Sequence, residues 1–251
     1  AVGSGKGGVG KSTVACNLAV SLAAEGATVG LMDADIYGPN QPQMMGVADW
    51  QPRAGADNKL TPPIGYGVKV MSMGFLMDPD APVIWRGPML HGAINQFLND
   101  VVWGELDYLI VDLPPGTGDV QLTLCQSVPL VGAVIVTTPQ SIALSDVRKA
   151  AAMFDKLKVP MLGVIENMGE FICPHCRKPS EIFSHGGAKM LAEKYGIPLL
   201  GSVPLDPLVC QTGESGKPVS ISQPDTAPAK AFRELARQVA ARVSVLSAQK
   251  K

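Results

Sequence analysis

Gly5-Lys6-Gly7-Gly8-Val9-Gly10-Lys11-Ser12-Thr13 fits the spacing G-x-x-x-x-G-K-[ST], and its surroundings are those the spacing requires. Ala1-Val2-Gly3 before it reads as the tail of a strand. Ser12–Glu25 after it reads as a helix with an apolar face that stops at Gly26. Glycines let successive backbone N–H groups turn toward one anion, and the helix starting near Lys11 adds the positive end of its dipole. On this reading Gly5, Gly7, Gly8, Val9, Gly10 and Thr13 shape a cradle for phosphate. Lys11 reaches the β- and γ-phosphates of ATP, and the Ser12 hydroxyl ligates Mg2+. A glycine-rich turn without a ligand is the plain alternative.

Outward from this loop, short β-branched runs and helical patterns alternate to the end of the chain. Thr28–Met32, Val68–Met71, Tyr108–Val111, Gly132–Thr137 and Met161–Ile165 lack polar alternation, as strands covered on both faces do. Met89–Asn99, Ser141–Lys158 and Ala229–Leu246 read as helices, the last with Phe232, Leu235, Val239, Val243 and Leu246 on one side. This order predicts a single α/β domain over residues 1–251, three layers deep (α/β/α), around a mainly parallel central sheet. Two segments do not fit. One is Tyr37–Gly67, rich in Pro and Gly; the other is an insertion at about 167–187 (Asn167–Gly187) that carries a cysteine pair. Long connections in a compact domain are usually functional. The chain opens inside a strand, so the native protein is expected to extend further at its N-terminus.

Composition narrows the classes. Apolar residues at 46% against 17% charged exclude a disordered chain, and 5% aromatics demand an aliphatic core. Acids (22) and bases (21) nearly cancel, which gives no reason to expect nucleic acid or an anionic membrane as partner. The longest aliphatic stretches, such as Val128–Val136, are about half of what a spanning helix needs. Five cysteines argue against a disulfide scaffold and for a reducing compartment.

A phosphate loop needs a carboxylate at the end of a neighbouring strand. Tyr108-Leu109-Ile110-Val111-Asp112 supplies one, and Asp112 is assigned to a water of the bound Mg2+. Leu113–Asp119 after it reads as a switch loop. A second acid pair ends another strand, in Leu31-Met32-Asp33-Ala34-Asp35. Lys6 then adds a second lysine at the start of the loop. This is the mark of the deviant phosphate-loop ATPases, to which Min-type and partition ATPases and the nitrogenase iron protein belong. That likeness implies that Lys6 crosses a dimer interface to the partner's phosphates, as an arginine finger does. It also implies that Asp35 orients the attacking water while Asp33 lies near the metal. The plain alternatives are a solvated lysine and acids that cap their own turns. For the base, Asn167 closes a predicted strand with an amide that accepts from an exocyclic amine and donates to a ring nitrogen. Backbone contacts are expected from Ser202–Asp206, Pro204 among them. An Asn in a turn is equally common.

Cys173-Pro174-His175-Cys176 offers two thiolates at the spacing of one metal, but a closed site needs four ligands. A zinc site within one chain would draw on His175 or His185. A redox pair is a second option, though such motifs open a helix after a strand. Symmetry offers a third: a two-fold dimer brings two copies of Cys173 and Cys176 together, and four thiolates suit a [4Fe–4S] cluster or Zn2+ alike. Cys16, Cys125 and Cys210 fall in helical patterns and are expected to be small buried hydrophobes.

Taken together, the chain resembles the Mrp/ApbC family of iron–sulfur cluster carrier ATPases over essentially its whole length. The residues that carry the likeness are Gly5–Thr13, Asp33-Ala34-Asp35-Ile36-Tyr37-Gly38-Pro39, Trp85-Arg86-Gly87-Pro88, Asp112–Asp119, Thr138-Pro139-Gln140 with Ala143-Leu144, and Cys173-Pro174-His175-Cys176. Asn40 stands where related proteins often carry Ser. The resemblance implies a deviant phosphate-loop (SIMIBI-like) fold and a homodimer that binds ATP and Mg2+ in each subunit and hydrolyses slowly. It implies a [4Fe–4S] cluster bridged by Cys173 and Cys176, received from scaffold proteins and passed to apo-proteins, with Zn2+ as a substitute. It places the protein in the cytoplasm, or in an organelle where a targeting segment has been removed, with neither nucleic acid nor membrane as partner.

Two other readings share the phosphate site. A partition or positioning ATPase of the membrane-binding kind needs a C-terminal amphipathic helix rich in bulky apolar residues and Lys/Arg. Ala229–Leu246 is instead Ala-rich and is expected to pack on the core, and Lys250-Lys251 is too short for an electrostatic anchor. A zinc-linked dimer that binds nucleotide without turnover differs only in metal content and chemistry.

Overall fold

Strand β1 (Val2–Gly3), which leads into the glycine loop, runs between β5 (Tyr108–Asp112) and β6 (Ala133–Thr137), parallel to both. The structure is a computed structural model that describes residues 1–52, 59–77, 87–173, 175–176, 178–180, 182–183 and 187–249. Among these, β2 (Val29–Asp33) pairs in parallel with β5 and with β4 (Val68–Ser72), and β7 (Met161–Ile172) with β6 and β9 (Leu199–Leu205). Two short strands are antiparallel: β3 (Ile64–Gly65) on β4, and β8 (Pro179–Ser180) on β7. The path across the sheet is β3-β4-β2-β5-β1-β6-β7-β8, with β9 also on β7.

Alternation along each strand divides the core in two, since successive side chains point to opposite faces. Leu31, Val70, Ile110 and Val134 join one cluster with α1 (Lys11–Ala24) and α9 (Ala227–Gln249). Their neighbours Met32, Met71, Val111 and Ile135 join the other, against α3 (Gly87–Asn99), α4 (Asp119–Ser127) and α5 (Ser141–Lys156). Helices thus cover both faces, as the non-alternating runs require. The few aromatics serve as anchors: Phe97, Phe154 and Phe232 are fully buried, each contributing about 2–3 kcal/mol. On α9, Phe232, Leu235, Ala236 and Val239 are buried against the core, which accounts for its apolar stripe. No helix among the described residues is long and apolar enough to cross a membrane.

The expected elements form with ends shifted by at most three residues, except in three places. β7 runs to Ile172, seven residues beyond the predicted end, so the insertion begins inside the sheet. Tyr37–Gly67 holds α2 (Gln41–Met44) and β3 rather than open loop alone. After α6 (Gly187–Tyr195), β9, α7 (Pro207–Glu214) and α8 (Val219–Ser222) form where no element was expected. Trp85, Arg86, Pro174, His185, Lys250 and Lys251 lie outside the described residues.

Candidate functional site

The parallel register sets the site. Asp33 pairs with Asp112 across β2 and β5 and with Ser72 across β2 and β4, so the acids come out side by side at the strand ends. This is where open α/β sheets bind ligands. β1 ends beside them, and the loop turns from it into α1.

Two glycines of the loop are fixed by their surroundings. Gly10, the N-cap of α1, has φ +79°, and a Cβ there would stand 2.2 Å from Asn167 Nδ2. A Cβ on Gly5 would meet the backbone of Asp146 at 2.2 Å. Only glycine allows both the left-handed turn and the close approach. Helix α1 starts with no side-chain cap and no acid in its first turn, leaving its positive end for an anion. Ser4, Lys6, Gly7, Gly8, Gly10, Lys11, Ser12 and Thr13 line one cleft with Asp35 and, opposite, Asn40, Gln43, Pro115, Cys210 and Glu214. Val9 is instead buried in the core, and its carbonyl accepts from Asn167 Nδ2 at 2.9 Å.

Lys11 is buried, with Nζ 2.6 Å from Asp112 Oδ1, 3.3 Å from Ser12 Oγ and 3.8 Å from Asp35 Oδ2. The ammonium thus bridges the hydroxyl and the carboxylate that the sequence assigns to Mg2+. A cation already fits between these two oxygens, and hard oxygen donors are what Mg2+ takes. Lys6 is half-buried at the cleft, and its ammonium has no ion-pair partner among the described residues.

The other acids divide their work. Asp35 Oδ1 accepts from the N–H groups of Tyr37 (3.1 Å) and Gly38 (3.3 Å), which aims its carboxylate at the cleft. Burial pushes the Asp35 carboxyl above its usual range, against the opposing pull of Lys11. Asp33, expected beside the metal, does not line the cleft. Its Oδ1 accepts from Asp35 N, and its Oδ2 from Gln41 N and Ser72 Oγ, at 2.9–3.1 Å. Both oxygens serve the protein, so Asp33 acts on the site by holding the segment of Asp35 and Gln41. Full burial, and then the charge of Asp112, raise it from 3.8 to about 7. Asp119 is exposed, as the first residue of α4.

Gln41 carries no motif and was not anticipated. Fully buried, it donates from Nε2 to Ser12 O and to Asp112 Oδ2, both at 2.9 Å. Of the base-site candidates, Asn167 abuts the loop with one amide hydrogen committed to Val9. Pro204 lines a separate depression with Glu166, Gly169, Glu170, Ile172 and Ser202, and its neighbour Val203 pairs with Asn167 across β7 and β9.

The cysteine pair sits at the tip of a hairpin. Phe171 and Ile172 of β7 pair with Ser180 and Pro179 of β8, and Cys173 N donates to Lys178 O at 3.1 Å. Within the turn the backbone N–H groups of Cys176 and His175 donate to the Cys173 sulfur, which lowers that thiol below its ordinary 9. Cys173 is half-buried and Cys176 exposed. The tip does not open a helix, which removes the redox-pair option of thioredoxin type. Cys16 and Cys125 are buried as expected; Cys210 is not. It is exposed on α7, where its Sγ donates to Glu214 Oε1 at 3.4 Å, because this short helix buries only Thr212 and Gly213.

Comparison with known proteins gives a family and a fold. A family model described as ParA, NUBPL iron-transfer P-loop NTPase, matches residues 1–240. The chain is 53% identical over 249 residues to an iron-sulfur cluster carrier protein of Synechocystis, covering 98% of this chain and 70% of that protein's length. Among solved structures, a nucleotide-binding protein of Archaeoglobus fulgidus in complex with ADP superposes with a TM-score of 0.79 at 39% identity, covering 92% of this chain and 90% of that one. The septum site-determining protein MinD of Pyrococcus horikoshii, complexed with Mg-ADP, gives 0.72 at 25% identity, covering 94% and 93%.

Proposed function

The chain belongs to the family of NUBPL-type iron-transfer P-loop NTPases, and on that premise we propose an ATP-dependent iron–sulfur cluster carrier that holds its cargo between two copies of itself and delivers it to apo-proteins. One observation carries this reading. A single strand, β7, touches the phosphate loop through Asn167 and ends in the hairpin of Cys173. β7 thus runs from the glycine loop to the cysteine hairpin.

At the nucleotide site, Lys11 is the mobile charge. Triphosphate would draw its ammonium away from Asp112 and Ser12, and Mg2+ would then be held by the Ser12 hydroxyl and, through a water, by Asp112. When bound, that ion neutralises charge on the β- and γ-phosphate oxygens. Asp35 accepts a hydrogen bond from the attacking water, and the Tyr37 and Gly38 amides keep its carboxylate aimed. Lys6 completes the charge complement from the partner copy, so hydrolysis is slow until two chains meet. Asn167 reads the base with the part of its amide that Val9 leaves.

At the hairpin, Cys173 and Cys176 supply two thiolates. Among the described residues no group of three His, Cys, Asp or Glu side chains gathers to hold a metal ion. Two copies of the pair supply four thiolates, the number a [4Fe–4S] cargo takes. Zn2+ suits the same four sulfurs, so metal analysis under anaerobic conditions distinguishes the two. The test is anaerobic reconstitution with iron and sulfide, followed by mixing with an apo-protein that needs a [4Fe–4S] cluster. A visible absorption band that moves to the acceptor is expected, and its absence in Cys173→Ser. A band that persists in Cys173→Ser contradicts the reading.

A further inference from the structure

We propose that Gln41 is a positioning residue of the metal half of this site: its amide nitrogen fixes Asp112 and the Ser12 backbone, and its remaining oxygen accepts from the hydration shell of the Mg2+ ion. The proposal rests on the nucleotide reading above.

The amide orientation follows from chemistry. The group that faces Gln41 from Ser12 is a carbonyl, an acceptor only, and an ionised Asp112 is an acceptor only as well. Nitrogen must point at both, because the flipped amide would set oxygen against oxygen twice. Oε1 is then the atom left over. It is buried in a residue with no exposed surface and has no hydrogen-bond partner among the described residues. A buried acceptor without a donor costs about 1–3 kcal/mol. Such an atom, one amide group away from Asp112, marks a place where a donor belongs when the site is filled.

The rest of Gln41 is rigid. Its N–H donates to Asp33 Oδ2 at 3.1 Å, and its carbonyl accepts from Met45 N at 2.9 Å. One residue thereby ties the strand-end acids Asp33 and Asp112 to the first turn of α1. When Lys11 leaves for phosphate, Asp112 keeps Gln41 on Oδ2, and its Oδ1 stays presented to a cation. Residues that orient metal ligands in this way typically change metal affinity 10–100-fold.

The experiment follows binding of a fluorescent ADP analogue to the full chain, with Mg2+ titrated from EDTA-buffered zero upward. Gln41→Met matches the shape but removes donor and acceptor. The Mg2+ concentration at half-effect should rise about tenfold, while affinity in EDTA stays within about twofold. If Gln41→Met does not fold, as judged by thermal melting, Gln41→Asn keeps the amide but withdraws it by one carbon and is expected to show the same rise. An unchanged Mg2+ midpoint overturns the proposal. So does an equal loss of affinity with and without Mg2+, which would make Gln41 a prop of the loop. A parent protein that binds no nucleotide in either condition overturns the reading of the site itself, a different and visible failure.

Discussion

Lys11 and Asp112 form a buried ion pair, Nζ to Oδ1 at 2.6 Å, at the point where the phosphate loop meets the central strand β5. On the proposed reading, the lysine assigned to phosphate is paired here with the acid assigned to the metal. Removing one partner of such a pair leaves a buried charge and costs about 3–5 kcal/mol. The nearby Asp35 carboxylate reduces that cost here. Asp112→Asn is therefore expected to lower the stability of the nucleotide-free protein by about 2–3 kcal/mol, read by chemical denaturation. ADP binding in EDTA should persist, and Mg2+ should no longer strengthen it. A mutant that still responds to Mg2+ like the parent would remove Asp112 from the metal site.

On the proposed reading, hydrolysis separates Asp35 and Lys6 from the binding residues. Asp35→Asn keeps the shape and the Tyr37 and Gly38 contacts but accepts more weakly from water. ATP should bind with little change and turn over roughly 100-fold more slowly. Lys6→Ala should reduce turnover while leaving nucleotide affinity at low protein concentration intact. Normal turnover in Asp35→Asn would point to Asp119, which stands exposed at the start of α4.

Asp33 makes stability depend on pH. Its folded-state value of about 7 stands above its ordinary 3.8, so between these limits the folded protein keeps a proton that the unfolded chain has released. This contribution lowers stability as pH rises from about 4 to 7 and is level above that. Asp35 acts in the same direction. In Asp33→Asn the fall between pH 4 and 7 should flatten, measured by urea unfolding at fixed pH steps. An unchanged slope would show that Asp33 does not hold its proton.

The exposed thiols should differ in reactivity. Hydrogen bonds from the Cys176 and His175 amides favour the Cys173 thiolate, whereas the Glu214 carboxylate disfavours that of Cys210. Iodoacetamide at pH 7 should alkylate Cys173 several-fold faster than Cys210, followed by mass spectrometry of peptides. The difference should shrink as pH rises past 9 and both ionise. Equal rates at pH 7 would mean that the turn does not form as described.

The sequence spoke for what is local and was silent on what is brought together by register. Gly5–Thr13, the strand ending in Asp112 and the acids after Met32 are contiguous patterns; Gly10, Lys11 and Asp35 line the cleft, whereas Asp33 does not. Gln41 follows a Pro/Gly-rich run and looks like any polar loop residue. Its contacts appear only in the fold, because Asp33 and Asp112 lie in register and both come within reach of this one residue. The polar run Glu166-Asn167-Met168-Gly169-Glu170 resembles a loop, yet it stays in β7. It does so through an irregular register in which Asn167 pairs with Val203 and Phe171 with Leu205, while Met168 takes φ +58°. Cys210 was misjudged because helical spacing alone does not say which side of a short helix meets the core.

The central claim is that the cysteine hairpins of two chains share one cargo, so that cluster binding and pairing strengthen each other by the same free energy. Light scattering with iron analysis on one sample tests it most directly, for the parent and Cys176→Ser, each with and without anaerobic reconstitution. About four irons per pair of chains are expected, found only in the dimer, with neither iron nor cluster-dependent dimer in Cys176→Ser. A monomer holding the full iron complement would contradict it.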